Sequence, residues 1–366
     1  MKTSFGVFSG LALSALSADS AIRLHYIYIT LREFSVPSIT LASGTRFDGA
    51  SDLSLLDAGL QAGVSLPYSC KTGRCSTCRC RIIVGETRAL QPETGLTSEE
   101  RATGWVLGCV RAPITDVTTD LVELADIDLP PVRTIPCRVD RIERLSPDVV
   151  RIMLRFPPSA NFRYLPGQYV QMIGPCGIRR SYSIANVARN GIGLELQIRA
   201  VAGGAMSHYW FEQVKTNDLL RLCGPFGTFI LGDVAGMDVV FLATGTGIAP
   251  VKAILESLPD RAPDERPRSI TVYWGGRTPE DLYLDVASWP GHHRFIPALS
   301  RADAIWEGER GYVQDAFRRH PTDIDNTVVY ACGSDAMIHG ARKALWEWGL
   351  PDSRFHSDAF VCSAVS

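Results

Sequence analysis

Short alternating and β-branched runs fill the middle of this 366-residue chain. Val149–Phe156, Gln168–Ile173, Arg180–Ile184 and Leu194–Ala200 each carry a strand pattern. Together they predict a small antiparallel β-barrel over residues 137–232. Further on the pattern changes. Asp238–Ala243 is a continuous apolar run, Pro250–Leu258 a helix, Ser269–Trp274 a strand, and Thr327–Ala331 a strand leading into a helix over Asp335–Trp348. Strand and helix alternating in this way predict an α/β, doubly wound parallel sheet over residues 233–366.

The stretch before the barrel is different again. Within residues 35–125, Pro37–Phe47 reads as a hairpin with a Ser-Gly turn. Ser51 or Asp52 would cap a helix carrying Leu53, Leu56 and Leu60 on one face, and Thr97-Ser-Glu-Glu opens a second short helix. Residues 126–136, with three prolines and few helix formers, predict a semi-rigid spacer. Residues 1–34 read as an extension of unknown role. Lys2 and the apolar run from Phe5 to Leu16 loosely look like a secretory signal. That run is too short to span a bilayer, which takes about 20 apolar residues, and no other segment reads as a membrane span.

Composition narrows the class. Hydrophobic residues make up 46% and charged residues 21%, the balance of a soluble globular protein. A net charge of −2 argues against nucleic acid as the main partner. Ten cysteines are too sparse for a secreted disulfide scaffold.

Four of those cysteines change the picture. Cys70, Cys75 and Cys78 have the spacing C-x4-C-x2-C, and Cys109 follows at the end of Gly-Trp-Val-Leu-Gly-Cys. This is the plant-type ligand pattern for a [2Fe–2S] cluster. Three thiolates on a tight loop wrap one side, and the fourth closes the cage. Gly73, Ser76 and Thr77 are small enough to let backbone N–H groups approach the sulfurs. A four-cysteine zinc site is the competing reading, but zinc pairs are usually spaced C-x2-4-C on both halves, and here the second half is a single cysteine. Cys80, Cys137, Cys176, Cys223, Cys332 and Cys362 are scattered, which suits reduced thiols in a cytosolic protein. Strand alternation would turn Cys80 away from the ligand set.

Arg180-Ser-Tyr-Ser183 lies on a predicted barrel strand, after Pro166-Gly-Gln-Tyr-Val170 and before Arg199-Ala-Val-Ala-Gly203-Gly204-Ala-Met-Ser207. In that order the three stretches resemble the ferredoxin–NADP reductase superfamily, whose flavin motif is RxYS. The resemblance implies FAD. Arg180 would grip the pyrophosphate as a fork, Tyr182 would pack on the ring system or the ribityl chain, and Ser183 would hydrogen-bond flavin N5. Gly203 and Gly204 would let the backbone approach a phosphate, and Ser207 would begin a helix whose N-terminus favours one. An ion pair for Arg180 and barrel packing for Tyr182 are the ordinary alternatives.

Thr244-Gly245-Thr246-Gly247 follows a buried strand and opens a helix, where backbone N–H groups can hold a dinucleotide pyrophosphate. Pro250 stands where the full fingerprint has its last glycine, and the superfamily shares this proline form. The resemblance also implies that Cys332 and Gly333 lie beside the nicotinamide, and that Phe360, in Ser357-Asp-Ala-Phe360, stacks near the flavin. Buried packing is the plain alternative for Cys332 and Phe360. Arg277 favours NADPH, whereas Glu280 and Asp281 repel a 2′-phosphate; cluster-fused reductases mostly use NADH, so NADH is expected and NADPH stays open.

The first unit resembles a β-grasp ferredoxin domain. A chain with all three parts would be an NAD(P)H-dependent oxidoreductase of electron transport. It would take a hydride from NADH onto FAD and send single electrons through the cluster, at about −400 mV, to a partner protein. Ser65–Cys75, Val272–Arg277, Tyr330–Gly333 and Ser357–Val361 resemble the CDP-6-deoxy-delta-3,4-glucoseen reductase family. That likeness implies an iron–sulfur dehydratase of deoxysugar synthesis as the electron acceptor. The alternative is an aromatic-ring or diiron oxygenase component. Lys71, Arg74 and Arg79 lie near the cluster and would steer an acidic partner. A metal-binding redox sensor is the reading from another class, but it has no use for flavin and nicotinamide motifs. Dependence on intracellular NADH points to the cytoplasm.

Overall fold

The computed structural model describes residues 36–124, 127–187, 189, 193–289 and 291–360. The expected extension, 1–34, lies outside the described residues, as do Val361 and Cys362.

Very short strands build the first unit. β1 (Ser38–Thr40) and β2 (Arg46–Asp48) form the expected hairpin, with Ile39 opposite Phe47. The helix α1 (Leu55–Gln61) is capped by Ser54, whose hydroxyl accepts from the Asp57 N–H at 3.0 Å, rather than by Ser51 or Asp52. Leu53 therefore stays outside the helix, while Leu55 and Leu56 turn inward. β3 (Arg79–Val84), β4 (Thr87–Ala89), α2 (Ser98–Ala102), β5 (Trp105–Leu107), β6 (Arg111–Pro113) and β7 (Val117–Thr119) complete the unit. α2 opens at Thr97 with a reciprocal cap: Thr97 accepts from the Glu100 N–H and Glu100 accepts from the Thr97 N–H. The main sheet runs β2-β1-β7-β3-β5, with β1 and β7 parallel. Ile39, Phe47, Leu55, Leu56 and Cys109 share its core, so the fourth expected ligand is fixed by hydrophobic packing.

The second unit is a barrel. β8 (Arg133–Ser146) starts inside the stretch expected to be a spacer. Pro136 fits there because at that point β8 pairs on one side only, and β9 (Val149–Arg155) joins from Arg138 onward. β10 (Tyr169–Ile173), β11 (Arg179–Ser183), β12 (Leu194–Arg199), the one-turn helix α3 (Ala205–His208) and β13 (Leu219–Phe226) follow. The sheet order is β11-β10-β13-β8-β9-β12, and a bridge between Ile184 and Leu196 brings its two edges together. Val139, Ile152, Leu154, Val170 and Leu196 fill the interior.

The third unit is a parallel sheet. Its elements are β14 (Asp238–Thr244), α4 (Ile248–Ser257), β15 (Ser269–Gly276), β16 (Arg294–Leu299), β17 (Glu309–Arg310), α5 (Val313–Arg319), β18 (Thr327–Ser334), α6 (Asp335–Glu347) and β19 (Phe355–Phe360). The order is β17-β16-β15-β14-β18-β19, parallel throughout. Alternate residues of β14 face different layers. Val240 and Leu242 pack with α5 and α6, whereas Val239, Phe241 and Ala243 pack with α4. Strand order reverses between β15 and β18, so the carboxyl end of β14 is the switch point where such sheets bind ligands. Among the described residues no helix is long and apolar enough to cross a membrane.

Candidate functional site

Cys70, Cys75 and Cys78 lie on the loop between α1 and β3, and Cys109 lies on a 3-10 turn after β5. The Gly108 N–H donates to the Cys78 carbonyl at 2.9 Å and brings the two segments together. The sulfurs meet in two pairs, Cys70 with Cys75 and Cys78 with Cys109. The bond from Cys75 pulls the Cys70 thiol down to about 5. Bonds to Cys70 and Cys109, together with burial, push the Cys75 and Cys78 thiols well up. Four thiolates cannot share this space without cations, since each ionised sulfur opposes the next; iron would hold them all deprotonated. Two pairs of soft thiolates suit a two-iron cluster better than one zinc.

The loop is strained. Lys71 and Ser76 have φ of 56° and 54°, a region costly for residues with a Cβ. Gly73, at φ +71°, is needed: a Cβ there would lie 2.6 Å from the Pro92 carbonyl. The N–H of Cys70 points at Cys75 Sγ and that of Thr72 at Cys70 Sγ, both at 3.4 Å. Cys80 is buried in the core of the first unit, and burial drives its thiol far up, so it stays neutral.

The loop leans on both other units. Tyr169 on β10 donates to the Ser69 carbonyl at 2.6 Å. Thr77 donates to the Ser357 carbonyl at 3.1 Å. Ser69 Oγ donates to Asp358 Oδ1 at 2.5 Å. The other oxygen of Asp358 takes Ser183 Oγ at 3.4 Å and faces Cys332 Sγ at 3.9 Å. One buried carboxylate therefore joins the cysteine loop, the end of β11 and the end of β18. Burial raises the Asp358 carboxyl to about 6, against the three donors that favour its charged form. Asp358 lies inside the Ser357–Val361 resemblance, which gave a role only to Phe360; its own sequence signal is a charge in the middle of the strand Phe355–Phe360.

Around Ser183 the expected flavin residues assemble. Tyr182 accepts from Trp210 Nε1 at 3.0 Å, with the rings edge-to-face at 6.2 Å, and burial raises its phenol to about 12. Arg180 donates to the carbonyl of Arg179 at 2.7 Å and forms no ion pair among the described residues, so its fork is available to an anion. Gly203 has φ +71° with open space around it, and α3 starts after Gly204. Ser207 is the third residue of that helix rather than its first; its hydroxyl accepts the Val201 N–H at 2.8 Å and closes the turn. Arg199 is committed elsewhere, to Asp281 at 2.8 Å and Asp148 at 3.4 Å.

At the switch point, Thr244, Gly245, Thr246 and Gly247 turn from β14 into α4. A Cβ at Gly247 would strike the Cys332 carbonyl, so only glycine lets the turn approach β18. Pro250 occupies the first turn of α4, where its missing N–H costs nothing. Cys332 is fully buried, and burial beside Asp358 keeps its thiol neutral. Gly333 follows it at φ +140°. Arg277 is exposed and its N–H donates to Asp281 Oδ2 at 2.7 Å. Phe360 ends β19 half-buried against the α4 side of the sheet.

An iron–sulfur loop docked against a flavin-type barrel and a nicotinamide-type sheet defines an NAD(P)H-dependent iron–sulfur flavoprotein reductase. Three family models match in the same order: a 2Fe-2S iron-sulfur cluster binding domain at residues 39–113, an oxidoreductase FAD-binding domain at 136–230 and an oxidoreductase NAD-binding domain at 241–343. CDP-6-deoxy-L-threo-D-glycero-4-hexulose-3-dehydrase reductase of Yersinia pestis is 37% identical over 325 residues, which cover 88% of this chain and 97% of that one. The terephthalate 1,2-dioxygenase reductase component 1 of Comamonas is 32% identical, over 88% of this chain and 96% of its own. The crystal structure of an Amycolatopsis cytochrome P450 reductase aligns with a TM-score of 0.67 at 31% identity, covering 88% of this chain and 98% of that one. The chain belongs to the ferredoxin–NADP reductase superfamily, in the branch with an N-terminal [2Fe–2S] domain, and uses FAD, NAD(H) and the cluster as cofactors.

Proposed function

We propose that this chain carries electrons from NADH, by way of FAD and the cluster, to an iron–sulfur, pyridoxamine-phosphate-dependent dehydratase acting on a CDP-linked 4-keto-6-deoxy sugar. The electron path rests on one observation: Asp358 touches Ser69 beside the cysteine loop, Ser183 on the flavin strand and Cys332 on the nicotinamide strand. Bound FAD supplies the exchange between a two-electron hydride and the single electrons the cluster accepts.

The chain's own residues bind and orient. Cys70, Cys75, Cys78 and Cys109 hold the iron. Arg180 meets the FAD pyrophosphate, and Gly203, Gly204 and Ser207 form a second phosphate turn. Tyr182, braced by Trp210, Ser183 and Phe360 would hold the flavin ring system, with the Ser183 hydroxyl as a hydrogen-bond partner for it. Thr244, Gly245, Thr246 and Gly247, at the start of α4, receive the dinucleotide pyrophosphate. Cys332 and Gly333 border the nicotinamide. Asp358 is a positioning residue for Ser183 and Cys332. Arg199 acts through Asp281, whose carboxylate is fixed by the Arg277 N–H and by Arg199. A fixed carboxylate next to Arg277 repels a 2′-phosphate and favours NADH over NADPH. We take the cofactor units to span residues 35–125, 137–232 and 233–366, and place the protein in the cytoplasm, where NADH is supplied.

The choice of acceptor is supported by the 37% identity to the dehydrase reductase, against 32% for the dioxygenase component. An oxygenase component is the second reading, favoured by the likeness to the cytochrome P450 reductase. Anaerobic reconstitution separates them. The purified protein, NADH, the dehydratase and its sugar substrate should give the 3-deoxy product by mass spectrometry. No product from protein whose flavin and cluster both bleach with NADH would move the assignment to an oxygenase.

A further inference from the structure

Arg342 lies on α6, in the nucleotide unit, yet its guanidinium reaches into the cysteine loop. Nη1 donates to Ser76 Oγ at 3.0 Å and Nη2 to Ser357 Oγ at 3.2 Å. The guanidinium carbon sits 5.1 Å from the centre of the Phe355 ring. Its Nε is sealed from solvent and has no partner. Among the described residues Arg342 forms no ion pair; the nearby Arg79 repels it, and the carboxylates closest in effect, Glu100 and Asp352, are themselves bound to Arg79. Desolvation lowers its pKa to about 10, which leaves it charged at neutral pH.

Arg342 is half-buried, with its Nε sealed from solvent, and a cation so placed without an anion is costly, so something must compensate it. Ser76 lies between Cys75 and Cys78, two of the expected cluster ligands, so the hydroxyl that Arg342 holds is part of the ligand turn itself. A cluster held by four thiolates is an anion, and reduction adds one more negative charge. The positive charge and the strained turn thus meet at one contact: the hydroxyl that Arg342 holds belongs to a residue at φ 54°.

We propose that Arg342 is the counter-charge of the [2Fe–2S] cluster: from the nucleotide unit it fixes the Cys75–Cys78 turn and raises the cluster's reduction potential. This rests on the reading of the four cysteines as cluster ligands. A cation beside the loop favours the more negative, reduced state, and net charge and hydrogen bonding near the sulfurs are what set such potentials. It also makes the potential depend on docking, because the charge arrives only when the first and third units are in contact.

The test is a potentiometric titration of the holoprotein, followed by the EPR signal of the reduced cluster, on the wild type, Arg342→Met, Arg342→Gln and Arg342→Lys. Both neutral variants should lose at least tenfold in the reduction equilibrium, a midpoint lower by 59 mV or more for a one-electron couple. The Lys variant, which keeps the charge, should recover most of that loss. If Arg342→Met fails to keep its cluster, Arg342→Gln still reads the charge, since it can donate to Ser76. Neutral variants that titrate with the wild type would overturn the proposal, as would a Lys variant as low as Met. A wild-type protein that bleaches its flavin with NADH but gives no cluster signal would overturn the cluster reading itself.

Discussion

The cysteine loop and the nicotinamide turn are both tight segments that need a glycine, yet they are held in opposite ways. The turn from Thr244 to Gly247 is braced by its own sheet. Thr244 Oγ1 accepts the Ser334 N–H at 3.2 Å, and Trp274 Nε1 donates to the Gly245 carbonyl at 2.9 Å. The cysteine loop carries two residues in left-handed conformations, each costing on the order of 1–3 kcal/mol. Besides bonds within its own unit, such as Gly95 N–H to the Gly73 carbonyl and Gly108 N–H to the Cys78 carbonyl, it is held from outside by Tyr169 of the barrel and by Arg342, Ser357 and Asp358 of the nucleotide unit. Strand ends make a site that is rigid by itself. A loop of this kind owes its internal shape to the metal and its aim to the neighbours.

If the two regions are this separable, each should fail alone. The largest effect is expected from Cys109→Ala. Removal of the fourth ligand should abolish the cluster's absorbance and all reduction of a protein acceptor, while NADH-driven reduction of a small dye at the flavin persists. Loss of both activities from a folded variant would contradict the division. Gly247→Ala breaks the other side. The new Cβ meets the Cys332 carbonyl, an overpacking cost of about 1–3 kcal/mol, which corresponds to roughly fivefold to 160-fold in binding or rate. Dye reduction by NADH should fall by that factor with the iron content unchanged; a variant with normal NADH kinetics would show that the turn does not carry the dinucleotide.

Asp358→Ala probes the link between the two. It leaves Ser69, Ser183 and Cys332 without their shared acceptor, and a hydrogen bond to a charged group is worth about 1.5–3 kcal/mol. In stopped flow, reduction of the cluster should slow more than reduction of the flavin. Equal slowing of both steps would make Asp358 part of the nicotinamide site alone.

What the sequence revealed follows the same division. Ligand spacing is local, so Cys70, Cys75 and Cys78 stood out, and the buried run of β14 marked the turn after it. Short alternating runs announced the barrel, whose strands turn one face to the core, whereas continuous apolar runs separated by helices announced the parallel sheet, whose central strands are buried on both faces. The helix cap was misplaced by a few residues, because Ser51, Asp52 and Ser54 are all competent caps and only packing of Leu55 and Leu56 chooses among them. The stretch holding Asp358 was legible but not the role of Asp358, and Arg342 gave no signal. Ser69 and Asp358 are 289 residues apart, and Arg342 and Ser76 are 266 apart. Such pairs exist only through docking of one unit on another, and no local pattern records that. Arg199 shows the same limit: the Arg199–Ser207 stretch displays a cation but not the Asp281 that pairs with it.

The gentlest test of external support is His339. It sits on α6 one turn from Arg342, and its Nε2 meets the Gly95 carbonyl of the first unit at 3.1 Å while Nδ1 meets the Asp335 carbonyl at 3.0 Å. Both partners only accept, so both ring nitrogens must donate and the ring is an imidazolium. The Asp335 side chain is the main cause, raising its pKa to about 9 against the opposing effect of burial. In an unfolded chain the value is about 6.5. A group whose folded pKa is raised stabilises fully below the unfolded value, and that contribution is lost as pH rises through the folded one. The contact between α6 and the first unit should therefore be firmest below about pH 6.5 and weaken toward pH 9. The ring is partly exposed, so the effect is small. Comparison with His339→Gln isolates it: the difference in melting temperature between wild type and variant should shrink steadily across that window. A difference that stays constant with pH would mean that the contact is packing rather than charge, and would leave Arg342 as the main charged hold on the cysteine loop.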